Sequence, residues 1–89
     1  MTTMFVRHQV ADFAKWRRVY DDFDPTRQRL GVTGQAVYRA TDNPNDVTVT
    51  HDFATPEAAR QFAESEALRD AMQQAGIAGD PTIWFTEQA

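Results

Sequence analysis

The chain has no cysteine, which excludes disulfides and thiolate metal sites as a source of stability. It has no apolar run near the ~20 residues a membrane-spanning helix needs. Its first residues, Met1-Thr2-Thr3-Met4-Phe5-Val6-Arg7, lack the basic head and apolar body of a secretory signal. Nor does it have a basic cluster. Nine Lys and Arg are scattered among thirteen Asp and Glu, for a net charge of −4, which disfavours sequence-independent nucleic-acid binding. Eight of the nine are Arg, Lys15 being the exception, and a GC-rich coding bias accounts for that more simply than a demand for guanidinium groups. These absences predict a cytoplasmic protein with neither membrane nor nucleic acid as partner.

What is present is enough for a core. Of 89 residues, 42% are hydrophobic and 11% aromatic, which argues against disorder and for one domain over residues 1–89. A domain this short is marginal alone, and without disulfides or a metal site, oligomerisation is the expected stabiliser.

Strand and helix signals alternate from end to end. Met4, Val6, His8 and Val10 alternate with Phe5, Arg7 and Gln9, a period-2 strand from Met4 to Val10. Asp12 then reads as a helix cap ahead of Phe13, Trp16, Val19, Tyr20 and Phe23 at helical spacing. Asp24-Pro25 interrupts that helix, and a short second piece runs from Pro25 to Leu30, stopped by Gly31. Strands over Val32–Ala40 and Val47–Phe53 flank the turn signal Thr41-Asp42-Asn43-Pro44-Asn45-Asp46 and form a hairpin. Thr55-Pro56-Glu57 opens a helix carrying Ala59, Phe62 and Ala63 inward. It bends at Ser65, where a capping role outweighs that of a nucleophile, and continues through Leu68, Ala71 and Met72 to Gly76. After Gly79-Asp80-Pro81 a last strand covers Thr82–Thr86.

The order is β-α-β-β-α-β, an α+β ferredoxin-like arrangement: a four-stranded antiparallel sheet, first and third strands central, helices on one face. The other face would show Phe5, Val37 and one side of the last strand to water, a patch that a second copy packed sheet to sheet would cover. The expected state is a homodimer.

At this point the chain resembles the dimeric α+β barrel superfamily, within it the small antibiotic-biosynthesis-monooxygenase-like proteins often described as cyclases. The carriers are Arg7 to Trp16, the Arg27–Gly31 stretch, the Asp42–Asp46 hairpin, Phe53 with Ala58-Ala59-Arg60, Ser65 to Arg69, and Ala75 to Pro81. The resemblance implies a ligand pocket in each subunit between sheet and helices, and a barrel formed by two sheets. The superfamily includes cofactor-free oxygenases, haem-degrading enzymes, polyketide cyclases and members with no known activity, so the resemblance leaves the reaction open; no cofactor is expected for this chain. Two family devices do not map. The oxygenase members' Asn–Trp pair finds no strand-borne Asn, since Asn43 and Asn45 fall in the turn signal. The helix-borne haem ligand finds no counterpart, because His8 and His51 both fall in strands.

The candidate chemistry rests on those two histidines, the only ones in the chain. Val10 faces the helices, so His8 and Val6, two and four residues back, do too. The matching set on the third strand is Val47, Val49, His51 and Phe53. If Ala40 pairs with Val47, Tyr38 opposes Val49 and joins this face. Antiparallel pairing near Arg7–Thr50 would put His8 opposite Val49 and diagonal to His51, their side chains about 7–8 Å apart at most. His8 is the candidate base, with His51 and Tyr38 as catalytic partners, and Val6, Trp16, Val49, Phe53 and Phe62 as ligand-binding walls. No metal is expected, because two histidines lack a third ligand and Asp52 points to the opposite face. Arg7 and Arg39 are placed on that opposite face as well. The alternation leaves the face of Trp84 open. The expected ligand is a small apolar, aromatic or polyketide-like molecule, subject to cofactor-independent oxygenation or cyclisation. The alternative is a non-catalytic ligand-binding or interaction module whose histidines are packed core residues.

Overall fold

In a computed structural model describing residues Met1–Ala89, the chain forms eight elements. They are β1 (Thr2–Val10), α1 (Phe13–Asp22), α2 (Asp24–Arg29), β2 (Gly34–Ala40), β3 (Asn43–Phe53), α3 (Pro56–Ala63), α4 (Glu66–Ala75) and β4 (Ile77–Glu87). The strands make one antiparallel sheet in the order β2-β3-β1-β4. This is the ferredoxin-like α+β fold, with the first and third strands central. No helix is long and apolar enough to cross a membrane.

Local chemistry sets the helix boundaries. The Asp12 carboxylate accepts from the Lys15 backbone N–H, and Thr55 does the same for Ala58. The Ser65 hydroxyl donates to the Phe62 carbonyl at 2.8 Å and accepts from the Leu68 N–H, so one side chain ends α3 and starts α4. Gly76 closes α4 in the left-handed conformation, φ 71°, which a side chain would resist.

Alternation does the rest. Even-numbered residues of β1, from Thr2 to Val10, and odd-numbered residues of β3, from Val47 to Phe53, are buried under the helices. Their apolar members belong to two clusters. One gathers Met4, Val6, Phe53, Phe62 and Leu68, and the other Val10, Trp16, Val47, Val49 and Ala75.

Three features depart from the sequence reading. The β3 strand begins at Asn43, so both asparagines lie in it. The hairpin turn is only Thr41-Asp42, with Ala40 opposite Asn43. Pro44-Asn45-Asp46 then bulges, because Arg39 opposite Val47 is the next pair. The bulge is held by Arg39 Nε donating to the Pro44 carbonyl at 2.8 Å. Likewise β4 starts at Ile77, and Gly79-Asp80-Pro81 is an irregularity inside the strand rather than a loop before it. Pro is tolerated there because β4 is an edge.

The hairpin bulge moves side chains between faces. Ala40 was expected opposite Val47, but Arg39 holds that place, a slip of one residue that inverts β2. Val37 therefore turns inward against the core, and Arg39 follows it to the helix side, its guanidinium 3.9 Å from the centre of the Phe13 ring. Tyr38 turns outward opposite Thr48 and is 58% exposed. Trp84 also lies on the outer face, stacked on Phe5 at 5.1 Å with the rings 7° from parallel.

Candidate functional site

Between the two apolar clusters lies a cavity roofed by α1, α2 and α4 and floored by β1 and β3. Its closed part is about 50 Å³, and with its open mouth the empty space reaches about 430 Å³. Val6, Trp16, Val19, Val49, Leu68 and Met72 make apolar walls. Four residues bring polar atoms to it: His8 from β1, Tyr20 from α1, Arg27 from α2 and His51 from β3.

Those four residues share a second property. The buried side-chain polar atoms with no hydrogen-bond partner in the protein are both His8 ring nitrogens, the Tyr20 hydroxyl, Arg27 Nε and His51 Nδ1. Every such atom in the molecule therefore belongs to a residue lining this cavity. An unmet buried group costs about 1–3 kcal/mol, and proteins seldom concentrate such costs in one place without a use for them.

The cavity has two ends. Met4 pairs with His51 and His8 with Val47, so the Val6–Val49 pair separates the histidines. This corrects the expected diagonal contact: along the strands they are four residues, about 13 Å, apart at the backbone. At one end the His8 ring meets Trp16, centroids 5.7 Å apart. Trp16 stacks on Tyr20 at 5.0 Å, which forms the middle of the roof. At the other end lie His51 and Arg27, whose guanidinium sits 3.9 Å from the centre of the Tyr20 ring.

Burial sets the protonation states. It lowers the pKa of His8 from 6.5, opposed by the Asp46 charge. His51 is lowered to about 4, by burial first and then by the Arg27 charge, with Asp52 pulling the other way. Tyr20 is raised by burial, against the pull of Arg27 and Arg17. Near neutrality the imidazoles are thus predominantly uncharged and the phenol is protonated. No group of three or more His, Cys, Asp or Glu is placed to hold a metal ion.

Of the residues singled out from sequence, Val6, His8, Trp16, Val49 and His51 line the cavity. Phe53 and Phe62 do not; they pack in the core behind His51, with Phe62 5.0 Å from the imidazole and 5.4 Å from Phe53. Tyr38 is on the opposite face and has no access to the cavity, for the reason of register given above. Two polar residues were missed. Tyr20 was read only as part of an apolar stripe, although its position four residues after Trp16 puts it on the same helix face. Arg27 carries no signal of its own, because an arginine in a polar hexapeptide reads as exposed.

The chain matches no family model and no curated protein sequence. Solved structures do match it along its whole length. A Bordetella bronchiseptica protein described as a candidate antibiotic biosynthesis monooxygenase superposes with a TM-score of 0.86 at 17% identity, covering 99% of this chain and 96% of that one. A conserved protein from Methanosarcina mazei Go1 gives 0.80 at 12% identity, over 99% and 92%. SnoaB, a cofactor-independent oxygenase from Streptomyces nogalater, gives 0.76 at 15% identity, over 99% and 94%. At such identities the likeness is one of fold, and the fold is that of the antibiotic biosynthesis monooxygenase structures.

Proposed function

We propose that this protein is a cofactor-independent, monooxygenase-like enzyme that binds a small aromatic molecule in the cavity, with His8 as general base. The observation that carries the reading is the confinement of all unpartnered buried polar atoms to four residues around one apolar cavity. The fold shared with SnoaB, itself named a cofactor-independent oxygenase, supports the reaction class. His8 suits the role better than His51. Burial lowers both, but His51 also stands beside the Arg27 charge, whereas the Asp46 charge favours the protonated form of His8. His51 then serves as a neutral hydrogen-bonding group.

The chemistry balances without a cofactor. A ring-activated methylene gives one proton to His8, and the carbanion left behind reacts with O2. One oxygen atom stays as the new carbonyl, and the other leaves as water with the two hydrogens of the methylene. The size of the cavity favours a single ring over a fused polyketide, since its closed part holds only a few waters or the edge of a ring.

We further propose a homodimer in which a second copy covers the Phe5–Trp84 stack and Tyr38. Oxygen uptake over a panel of single-ring activated phenols and methylenes tests the activity. His8→Gln should lower turnover by about 10²–10⁴-fold with KM little changed. Ring compounds that bind the wild-type protein while no member of the panel consumes O2 would favour a non-catalytic ligand-binding module.

A further inference from the structure

The sequence reading gave the pocket apolar walls and two neutral histidines. The structure adds a permanent positive charge. Arg27 is 2% exposed, the largest side chain in the protein to be so completely buried. Its compensation is incomplete. Nη2 donates to Asp24 Oδ1 at 3.2 Å, but Asp24 is also claimed by Gln28 Nε2 at 3.0 Å and Gln35 Nε2 at 2.9 Å. The Asp24 side chain is 36% exposed at the rim, so it shares its charge with water and two amides. Arg27 Nε has no partner at all.

The placement of this guanidinium is equally specific. It lies against the Tyr20 ring at 3.9 Å, with Phe23 on its flank at 5.7 Å, and it lines both the inner cavity and an outer polar cleft bordered by Arg17, Asp21 and Gln35. Of this guanidinium Nε–H is the donor left without a partner, next to the Nη2 that Asp24 already holds, so an anion accepting there would meet the charge that Asp24 only partly offsets. A phenol or a ketone could accept from that Nε–H but would offset none of the charge.

We propose that the ligand of this cavity is a small ring carboxylate, its carboxylate held on the Nε edge of Arg27 and its ring directed along Tyr20 and Trp16 towards His8. The proposal rests on the reading of the cavity as the substrate site and names the substrate class for it: a ring acid with its reactive position at the end opposite the carboxylate. The neutral His51 beside Arg27 supplies a further hydrogen bond to the anion. Arg27 is here a binding and specificity residue; it takes no part in moving the proton.

Benzoate and its neutral isosteres benzamide and benzyl alcohol separate the possibilities, with affinity read from the quenching of Trp16 fluorescence and from calorimetry. Wild-type protein should bind benzoate at least about tenfold more tightly than either isostere. The ring-proton NMR signals of His51 should shift on addition of benzoate. Arg27→Gln should abolish the preference, leaving benzoate no tighter than benzamide on the same variant. Equal affinities, or a preference for the neutral ligands, would overturn the carboxylate proposal and leave the aromatic pocket standing. Benzoate that binds without moving the His51 resonances is bound elsewhere, which overturns it too. If no ring compound binds at all, the substrate-site reading itself fails. The selectivity and NMR arms use only the wild-type protein, so a variant that does not fold leaves the proposal open to refutation.

Discussion

The two faces of the central strand pair are built from the same backbone and treat polar side chains in opposite ways. On the outer face the charged side chains find partners. Arg7 makes a two-pronged ion pair with Asp46, Nε to Oδ1 at 3.0 Å and Nη2 to Oδ2 at 2.6 Å, and Thr3 donates to Asp52 at 2.7 Å. On the inner face, one residue along in either strand, His8 and His51 are buried with ring nitrogens that meet no partner. The outer arrangement satisfies itself and so describes a structure. The inner one is incomplete, and the ligand proposed for the cavity would complete it.

The contrast can be broken most severely in the core. Phe62, 1% exposed among Phe53, Phe23 and His51, should cost about 3–5 kcal/mol when replaced by alanine, measured by urea unfolding. Phe5→Ala on the outer face should remove little more than an aromatic stack, about 0.5–1.5 kcal/mol, at dilution where only the 10.1 kDa monomer is present. A larger loss that grows with protein concentration would mean that a second copy covers that face, and sedimentation should then give twice the chain mass.

Acid titration separates the faces by pH. His51 binds its proton at about 4 in the folded protein and near its ordinary 6.5 when unfolded. Between those values the unfolded chain holds more protons, so stability is complete above about 6.5 and falls as pH drops towards 4, by roughly 3 kcal/mol in all. His8, also lowered, adds a loss of the same sign. Asp46 behaves differently: Arg7 holds its carboxyl below the ordinary 3.8, so its contribution is kept above that value and lost only below it. His51→Gln should therefore flatten the stability profile between pH 6.5 and 4 and leave the steeper acid limb in place. An unchanged profile would show that His51 meets water freely. Thr3→Val should cost as little as Phe5→Ala, about 0.5–1.5 kcal/mol for one half-buried hydrogen bond to Asp52, again by urea unfolding.

Much of this molecule was legible in its residues. The alternation in β1 and β3 placed His8 and His51 under the helices, and the caps at Asp12, Thr55 and Ser65 fell where the side chains form their bonds. Legibility failed where a strand's register depended on a bulge. The dense turn signal at Asp42–Asp46 was real, but it encodes a two-residue turn followed by three bulged residues, and that difference moved Tyr38 out and Arg39 in. It failed again at Arg27. Composition assigns an arginine to the surface, and only the chain reversal at Asp24-Pro25 lays this one under Tyr20. Both failures concern tertiary geometry, which local periodicity does not contain.

The irregularity in β4 bears on how the sheet can grow. Gly79, at a φ of 77°, and Pro81, with no N–H to give, break the row of backbone donors and acceptors along that margin, and Asp80 adds a charge beside them. An incoming strand would find a template interrupted after a few bonds, so ordered polymerisation through this edge is frustrated from the start. Replacing Gly79-Asp80-Pro81 by a regular β-forming triplet would straighten the margin and turn a self-limiting sheet into one that can nucleate fibres.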